Sequence, residues 1–250
     1  MEILIEQEVP TTIGQIVAGN FRTAEVFRKY NIDFCCKGHR KLSDVCREKQ
    51  LDQDTIEREL AEKVARSANT SDLEFARMPL DDLADLIVQE YHSYVRENIP
   101  TLLAYLTKVN KVHGNNHPEL NEILMLFIGC GEELTHHMLK EEAILFPAIK
   151  KLAEAERLNN GLSKPFFFGT LSNPIDSMKQ EHTVEGDRAA RLTELTANFT
   201  PPEDACTTYR VSYQKLHEFI NELYTHIHLE NNILFPRAVE LEKKICTQES

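Results

Sequence analysis

The sequence contains one motif twice, as HMLKEEAILFP at residues 137–147 and as HIHLENNILFP at residues 226–236. Each copy places a glutamate four residues after its first histidine and ends in Ile-Leu-Phe-Pro. Residues four apart lie on one face of an α-helix, so each copy presents an imidazole and a carboxylate side by side. The duplicated motif therefore indicates that two helices contribute to one metal site.

Two further histidines repeat the interval before the motif. His92 lies 45 residues before His137, and His182 lies 44 residues before His226. Residues on antiparallel neighbouring helices face each other when the connecting turn lies halfway between them. Both midpoints fall at turn signals, the HGNNHP segment and the region beside a Pro-Pro pair. The sequence therefore predicts four histidines at one level of a four-helix bundle.

The predicted ligand set combines imidazoles with carboxylates, which can bridge two metals. Imidazole suits Fe, Zn, Cu and Ni, and we expect a pair of irons here. We expect one metal to be held by each half of the bundle, with the two glutamates bridging. Core residues satisfied by hydrogen bonds are the alternative, but six such groups on inward faces would be costly without pairing or a metal. The predicted ligands are His92, His137, Glu141, His182, His226 and Glu230.

Three more glutamates lie close to these ligands in sequence. Glu133 and Glu222 each precede a motif histidine by four residues and are candidate acceptors for imidazole N–H groups. Glu181 directly precedes His182 and is a candidate for the same role or for lining a path to the site. A solvated surface position is the alternative for all three. The remaining bundle histidines are excluded as ligands because of their rotation or distance along the helix: His113, His117, His136, His217 and His228.

The composition bounds the class of protein. The chain has 250 residues and a formal net charge of -12, which argues against a nucleic-acid or anionic membrane partner. It contains no apolar run of membrane-spanning length, and its acidic start does not resemble a secretory signal. Six cysteines, two adjacent and four scattered, do not form a disulfide framework. We therefore expect a cytoplasmic protein.

Helical spacing dominates the chain, which has no Trp and only 9 Gly. The sequence predicts an all-α protein with a small helical N-terminal domain over residues 1–66, a linker over 67–79 and an up-down-up-down four-helix bundle over 80–246. In the N-terminal part, Ser43 is expected to cap a short helix. The middle connection contains Phe166–Phe168, expected to form a hydrophobic flap over the bundle end.

The N-terminal domain carries the adjacent pair Cys35 and Cys36. Lys37, His39 and Arg40 follow, and positive charge lowers a thiol pKa. The pair is therefore a candidate for metal, nitrosyl or iron-transfer chemistry. The alternative, which the sequence favours equally, is one buried structural cysteine next to a cysteine without a functional role.

Together these residues resemble the iron–sulfur cluster repair di-iron proteins, the RIC family. NIDFCCKGHRKL at residues 31–42 resembles the family's Cys-Cys domain, while EYH at 90–92, EH at 181–182 and the two motifs resemble its hemerythrin-like bundle. The resemblance implies a non-haem di-iron centre with oxo and carboxylate bridges, held by the six ligands above. It also implies a stress-response role in repairing clusters damaged by nitric oxide or peroxide, with damaged iron–sulfur proteins as partners and a homodimer as a family-level expectation.

Three functions compete on this basis. The first is cluster repair by iron donation, which the Cys-Cys domain favours and which makes the protein an iron donor rather than a conventional enzyme. The second is reversible binding or sensing of O₂ or NO, as in hemerythrins. The third is NO reduction at two irons, which requires an electron donor that the sequence does not reveal.

Overall fold

A computed structural model describes residues 12–65, 74–159 and 166–247. These residues form nine helices, and among them no strand extends beyond an isolated bridge, so the all-α prediction is confirmed. The first five helices are short: α1 (Ile13–Gly19), α2 (Thr23–Lys29), α3 (Leu42–Lys49), α4 (Gln53–Ala65) and α5 (Glu74–Arg77).

Four long helices follow and form the bundle. Three of them contain a π-helical segment with no break in the helix. Helix α6 runs through Leu80–Leu86, the π segment Ile87–His92 and Ser93–His113; α7 runs through Glu119–Lys140, the π segment Glu141–Leu145 and Phe146–Arg157; α8 covers Ser172–Leu195; and α9 runs through Thr207–Leu229, the π segment Glu230–Leu234 and Phe235–Thr247. Helices α6 and α8 each pack against both α7 and α9. Within the described parts of the chain, none of the helices is long and apolar enough to cross a membrane.

The start of α1 is fixed by its cap. The Thr12 hydroxyl accepts the N–H of Gln15, whose side chain accepts the N–H of Thr12, which makes a capping box. Ser43 does not cap α3, because that helix already begins at Leu42 and its N-cap, Lys41, is extended. Lys41 is held in that conformation by an antiparallel bridge to Thr12, so the helix starts earlier than the sequence predicts.

The bundle core is divided into two apolar clusters by a polar layer. One cluster contains Val95, Phe127 and Leu223, and the other, towards the opposite end of the bundle, contains Ile149 and Leu234. The buried histidines and glutamates of the predicted site lie where each bundle helix passes from one cluster to the other. Apolar residues of α1 to α4 join the first cluster, so the N-terminal part shares a core with the bundle.

The two predicted connections are partly described. Helix α5 lies inside the predicted linker, where the Phe75 and Met78 carbonyls accept hydrogen bonds from Arg237 at 3.4 and 2.8 Å. Residues 66–73 lie outside the described part, and the domain boundaries stay a prediction. In the phenylalanine loop, Phe166 and Phe168 pack against the second cluster while Phe167 is 87% exposed.

The N-terminal part docks on the bundle around Asn232 of α9. The Asn232 amide donates to the carbonyl oxygens of Phe34 and Cys35 at 3.3 and 3.2 Å. Its Oδ1 lies against two glycines: a Cβ on Gly38 would lie 2.9 Å from it, and one on Gly14 would overlap it further. Both positions therefore need glycine, because any side chain would displace Asn232.

Replacing Gly14 with Ala should lower the free energy of unfolding by about 1–3 kcal/mol, because the methyl group overlaps the Asn232 side chain. Gly19→Ala is the matched control in the same helix, since a Cβ there has no neighbour within 4 Å. That variant should be neutral or more stable by up to about 1 kcal/mol. Urea unfolding of both variants measures the difference, and equal stabilities would contradict this docking.

Candidate metal centre

The six predicted ligand residues meet at one level of the bundle, and all six are buried. Their ligand atoms form two overlapping groups, each within 4.8 Å. The two glutamates belong to both groups, which is the arrangement expected for carboxylates that bridge two ions. The first group is His92, Glu141, His226 and Glu230, and the second is His137, Glu141, His182 and Glu230.

The pairing of the histidines differs from the sequence prediction. His92 Nε2 lies 3.1 Å from His226 Nε2, and His182 Nε2 lies 2.9 Å from His137 Nε2. Each pair therefore joins the two halves of the chain, and the expectation of one metal per half is wrong. The physical reason is that α6 packs against α9 as closely as against α7, and helical periodicity does not specify which neighbour a ring faces.

Each glutamate contacts both histidines of its own half. The Glu141 oxygens lie 3.3 Å from His92 Nε2 and 3.3 Å from His137 Nε2. The Glu230 oxygens lie 2.9 Å from His226 Nε2 and 3.2 Å from His182 Nε2. Since the two histidines of a half belong to different groups, each carboxylate spans both groups.

The π segments coincide with the ligands. Two of them begin at Glu141 and Glu230, and the third ends at His92. Pro147 and Pro236 follow shortly after two of these segments and have no N–H, so the normal i to i−4 hydrogen bond is absent there. A π turn is common at functional sites because it redirects side chains within a continuous helix.

The repeated phenylalanine of each motif packs on a ligand. The Phe146 ring stacks on His92 with 5.7 Å between centroids, and the Phe235 ring stacks on His182 at 6.2 Å. Both phenylalanines are buried, so they close the second cluster against the polar layer. This accounts for the Leu-Phe-Pro ending that follows each glutamate.

Three of the four rings are oriented by a hydrogen bond at Nδ1, the ring nitrogen that faces away from the centre. The Nδ1 atom of His92 lies 2.6 Å from Glu142, that of His182 lies 2.9 Å from Asn231 Oδ1, and that of His137 lies 2.8 Å from Glu181. An Nδ1–H that donates outward leaves the Nε2 lone pair directed to the centre, as in metal-binding histidines. Glu142 and Asn231 are not among the predicted residues, although each directly follows a motif glutamate and occupies the same place in both repeats.

The structure brings only one of the three predicted acceptors to a ring. Glu181 contacts His137, whereas Glu133 and Glu222 are exposed and make no hydrogen bond to an imidazole among the described residues. Helical side chains lean towards the N-terminus of their helix, so a glutamate four residues before a histidine points away from it.

Charge in the centre is balanced within the protein. Burial opposes a positive ring, but the facing carboxylates raise the pKa of His92 to about 9 and that of His137 to about 10. Burial would likewise raise the pKa of Glu230, yet the facing imidazoles hold it well below its usual range. Both Glu141 oxygens and Glu230 Oε2 have no hydrogen-bond partner among the described residues. Buried acceptors of this kind are costly unless a cation satisfies them, so the donor set fits a metal centre.

The excluded histidines lie outside both ligand groups. At the far turn of the bundle, His113 Nε2 lies 3.2 Å from Cys206 Sγ, and His117 Nε2 lies 3.1 Å from Asp204. None of the excluded set contributes a ligand atom: His113, His117, His136, His217 and His228.

His228 is nevertheless fully buried. Its ring packs against Phe34 with 5.6 Å between centroids, and the Asn232 amide lies 3.1 Å from its Nδ1. Burial lowers the pKa of His228 to about 3, so the ring is neutral. The sequence distinguishes this position, because the two repeats differ there. The first repeat has Leu139 in place of His228, and the Leu139 side chain is 54% exposed. His228 therefore belongs to the contact with the N-terminal part.

The Cys-Cys turn lies against α8. The two Sγ atoms are 3.6 Å apart, and the Cys36 thiol donates to the His182 carbonyl at 3.1 Å. The expectation of a lowered thiol pKa is wrong for Cys35. Burial raises that pKa well above its ordinary value, and Cys36 and Asp33 add to the effect. The cations that follow the pair in sequence are engaged with carboxylates, Lys37 with Asp187 and Arg40 with Glu48.

Comparison with known proteins agrees with this architecture. The family model described as the Hemerythrin HHE cation binding domain matches residues 83–238. A second model, ScdA_N, described as a domain of unknown function, matches residues 9–64. The chain is thus similar to known families on both sides of the segment at 66–73.

Curated relatives match over most of both chains. The iron–sulfur cluster repair protein YtfE of Escherichia coli O81 is 37% identical over 227 residues, which cover 91% of this chain and 96% of the relative. The same values hold for the YtfE proteins of Shigella boydii serotype 4 and Escherichia fergusonii. The chain therefore belongs to the hemerythrin HHE cation-binding family and, within it, to the iron–sulfur cluster repair proteins.

Proposed function

We propose that this protein repairs iron–sulfur clusters damaged by oxidative or nitrosative stress by donating iron from a di-iron centre. The observation that carries the proposal is the pair of buried carboxylates, Glu141 and Glu230, each shared between two histidine pairs. Relatives that match over nine-tenths of the chain are named for cluster repair, which supports the same role here.

The proposed centre holds two irons. One would be held by His92 and His226 and the other by His137 and His182, with both glutamates shared. When bound, the irons supply redox-active and exchangeable metal. The protein orients the rings through Nδ1 and shields one side of the site with Phe146 and Phe235.

The charge balance of the centre suits a donor. Without metal, the facing carboxylates raise the pKa of His92 to about 9 and that of His137 to about 10, which favours protonated rings opposite the carboxylates. Proton uptake by these rings therefore offsets part of the positive charge that is lost when a metal ion leaves.

Contact with the Cys-Cys turn favours repair over the alternatives. An O₂ or NO carrier, or an NO reductase, needs no thiols against α8, and no contact among the described residues favours either function. We propose iron–sulfur proteins as clients and a reducing cytoplasm as the location, which six free cysteines suit. A homodimer stays a prediction.

The first prediction concerns metal content. The purified protein should contain about two irons per chain, and Glu141→Gln or Glu230→Gln should leave less than about one, because each carboxylate serves both ions. His136→Ala is the matched control, since His136 is exposed beside His137 on the same helix. Elemental analysis with Mössbauer spectroscopy measures the outcome, and loss of iron in His136→Ala alone would refute the ligand set.

The second prediction concerns pH and the metal-free protein. His92 and His137 have a folded-state pKa raised from 6.5 to about 9 and about 10, so the stability they contribute is complete below pH 6.5 and is lost as pH rises through 9 to 10. We expect the free energy of unfolding to fall over that window by on the order of 3 kcal/mol. The Glu141→Gln, Glu230→Gln double variant should show a much smaller fall, and an equal fall in both proteins would contradict the pairing.

A third experiment tests repair itself. Iron-loaded protein added without air to an enzyme with a nitrosylated iron–sulfur cluster should restore that enzyme's activity and lose iron in parallel. Glu230→Gln, treated identically, should restore little because it carries less iron. Absence of recovery combined with stable, reversible O₂ binding would overturn the proposal in favour of a carrier.

A further inference from the structure

The Cys-Cys turn gathers three metal-ligating groups that the di-iron centre does not use. A carboxylate oxygen of Asp33 and the Sγ atoms of Cys35 and Cys36 all lie within 4.8 Å of one another. Cys35 is buried and Cys36 is partly buried, so the cluster lies in the contact between the N-terminal part and the bundle.

The distance between the sulfur atoms matches chelation. The two Sγ atoms lie 3.6 Å apart, whereas a disulfide would need about 2.05 Å. Two thiolates on one tetrahedral ion, each about 2.3 Å from it, are about 3.8 Å apart. The pair is therefore spaced as two ligands of one cation.

Neighbouring residues fix this spacing from the bundle side. The Cys36 thiol donates to the His182 carbonyl, and a Cβ on Gly186 would lie 2.9 Å from Cys36 Sγ. The Asn231 amide donates to the Cys35 carbonyl at 3.3 Å. Gly186 thus makes room for a thiol, and the turn is held in place before any cation binds.

The third ligand and an adjoining cavity are also present. Asp33 Oδ1 accepts the N–H groups of Cys35 and Cys36 at 3.1 and 2.9 Å, and it accepts the Cys35 thiol at 3.3 Å. A cavity of 650 Å³ is lined by Asp33, Cys35 and Gly186 among others, so it borders two of the three groups of the cluster.

From this arrangement we propose a second, mononuclear metal site, formed by Asp33, Cys35 and Cys36, for one divalent cation of borderline softness such as Fe²⁺, Co²⁺ or Zn²⁺. Binding releases two thiol protons to solvent and forms two metal–sulfur bonds, with no change of oxidation state. Three protein ligands leave one tetrahedral position open. If the proposed repair function holds, this position is where iron leaving the His137 and His182 group is passed to a client's ligand.

The test uses the full chain with its di-iron centre loaded. Co²⁺ added without air should give near-ultraviolet thiolate-to-cobalt charge-transfer absorption, which only a cysteine ligand produces. Cys35→Ser and Cys36→Ser should each reduce this absorption to a small fraction. Gly186→Ala keeps all ligands but displaces Cys36 Sγ, so it should weaken Co²⁺ binding at least tenfold. Cys206→Ser, which removes an exposed thiol at the far end of the bundle, should change nothing.

Two results would overturn the site: no charge-transfer absorption in the wild-type protein, or full absorption in the Cys35→Ser, Cys36→Ser double variant. Iron content is measured in the same samples. Two irons retained in the double variant with the cobalt signal lost would support a site separate from the di-iron centre. A chain that binds Co²⁺ through these cysteines but never holds two irons would contradict the proposed function and leave this site standing.

Discussion

The burial of two carboxylates is the constraint on which the structure depends. Glu141 and Glu230 are fully buried, where an unpaired charge costs several kcal/mol. Cations must therefore face both of them, whether protonated imidazoles or metal ions. The four histidines meet this requirement from all four bundle helices, three π segments begin or end at a ligand, and the resulting polar layer lies between the two apolar clusters.

Sequence spacing predicted the level of the site but not its internal connections. Periodicity and the two midpoint turns specify which face of a helix His92 or His182 occupies, and both lie where they were expected. The orientation of each imidazole ring depends on contacts with a neighbouring helix, and the helical periodicity of the sequence does not specify those contacts. The pairing of His92 with His226 was missed for that reason, as were the acceptors Glu142 and Asn231.

Charged residues nearby in sequence likewise did not predict the thiol pKa. Lys37 and Arg40 adjoin Cys35 in sequence, yet each is paired with a carboxylate, on Asp187 and Glu48 respectively. Burial therefore decides the pKa of Cys35, and burial depends on long-range docking that a local segment does not reveal. By contrast, the capping box at Thr12 needs only neighbouring residues.

Differences between the two repeats explain why the bundle is not symmetric. The residue after each motif glutamate holds a histidine of the adjacent helix, but Glu142 then reaches Arg96 at the surface while Asn231 reaches the Cys35 carbonyl. The hydrogen bonds that start at the ligands thus end at the surface in the first half of the site and at the Cys-Cys turn in the second half. The ligand group that contains His182 is therefore the one that adjoins the cysteines, because the Cys36 thiol donates to the His182 carbonyl.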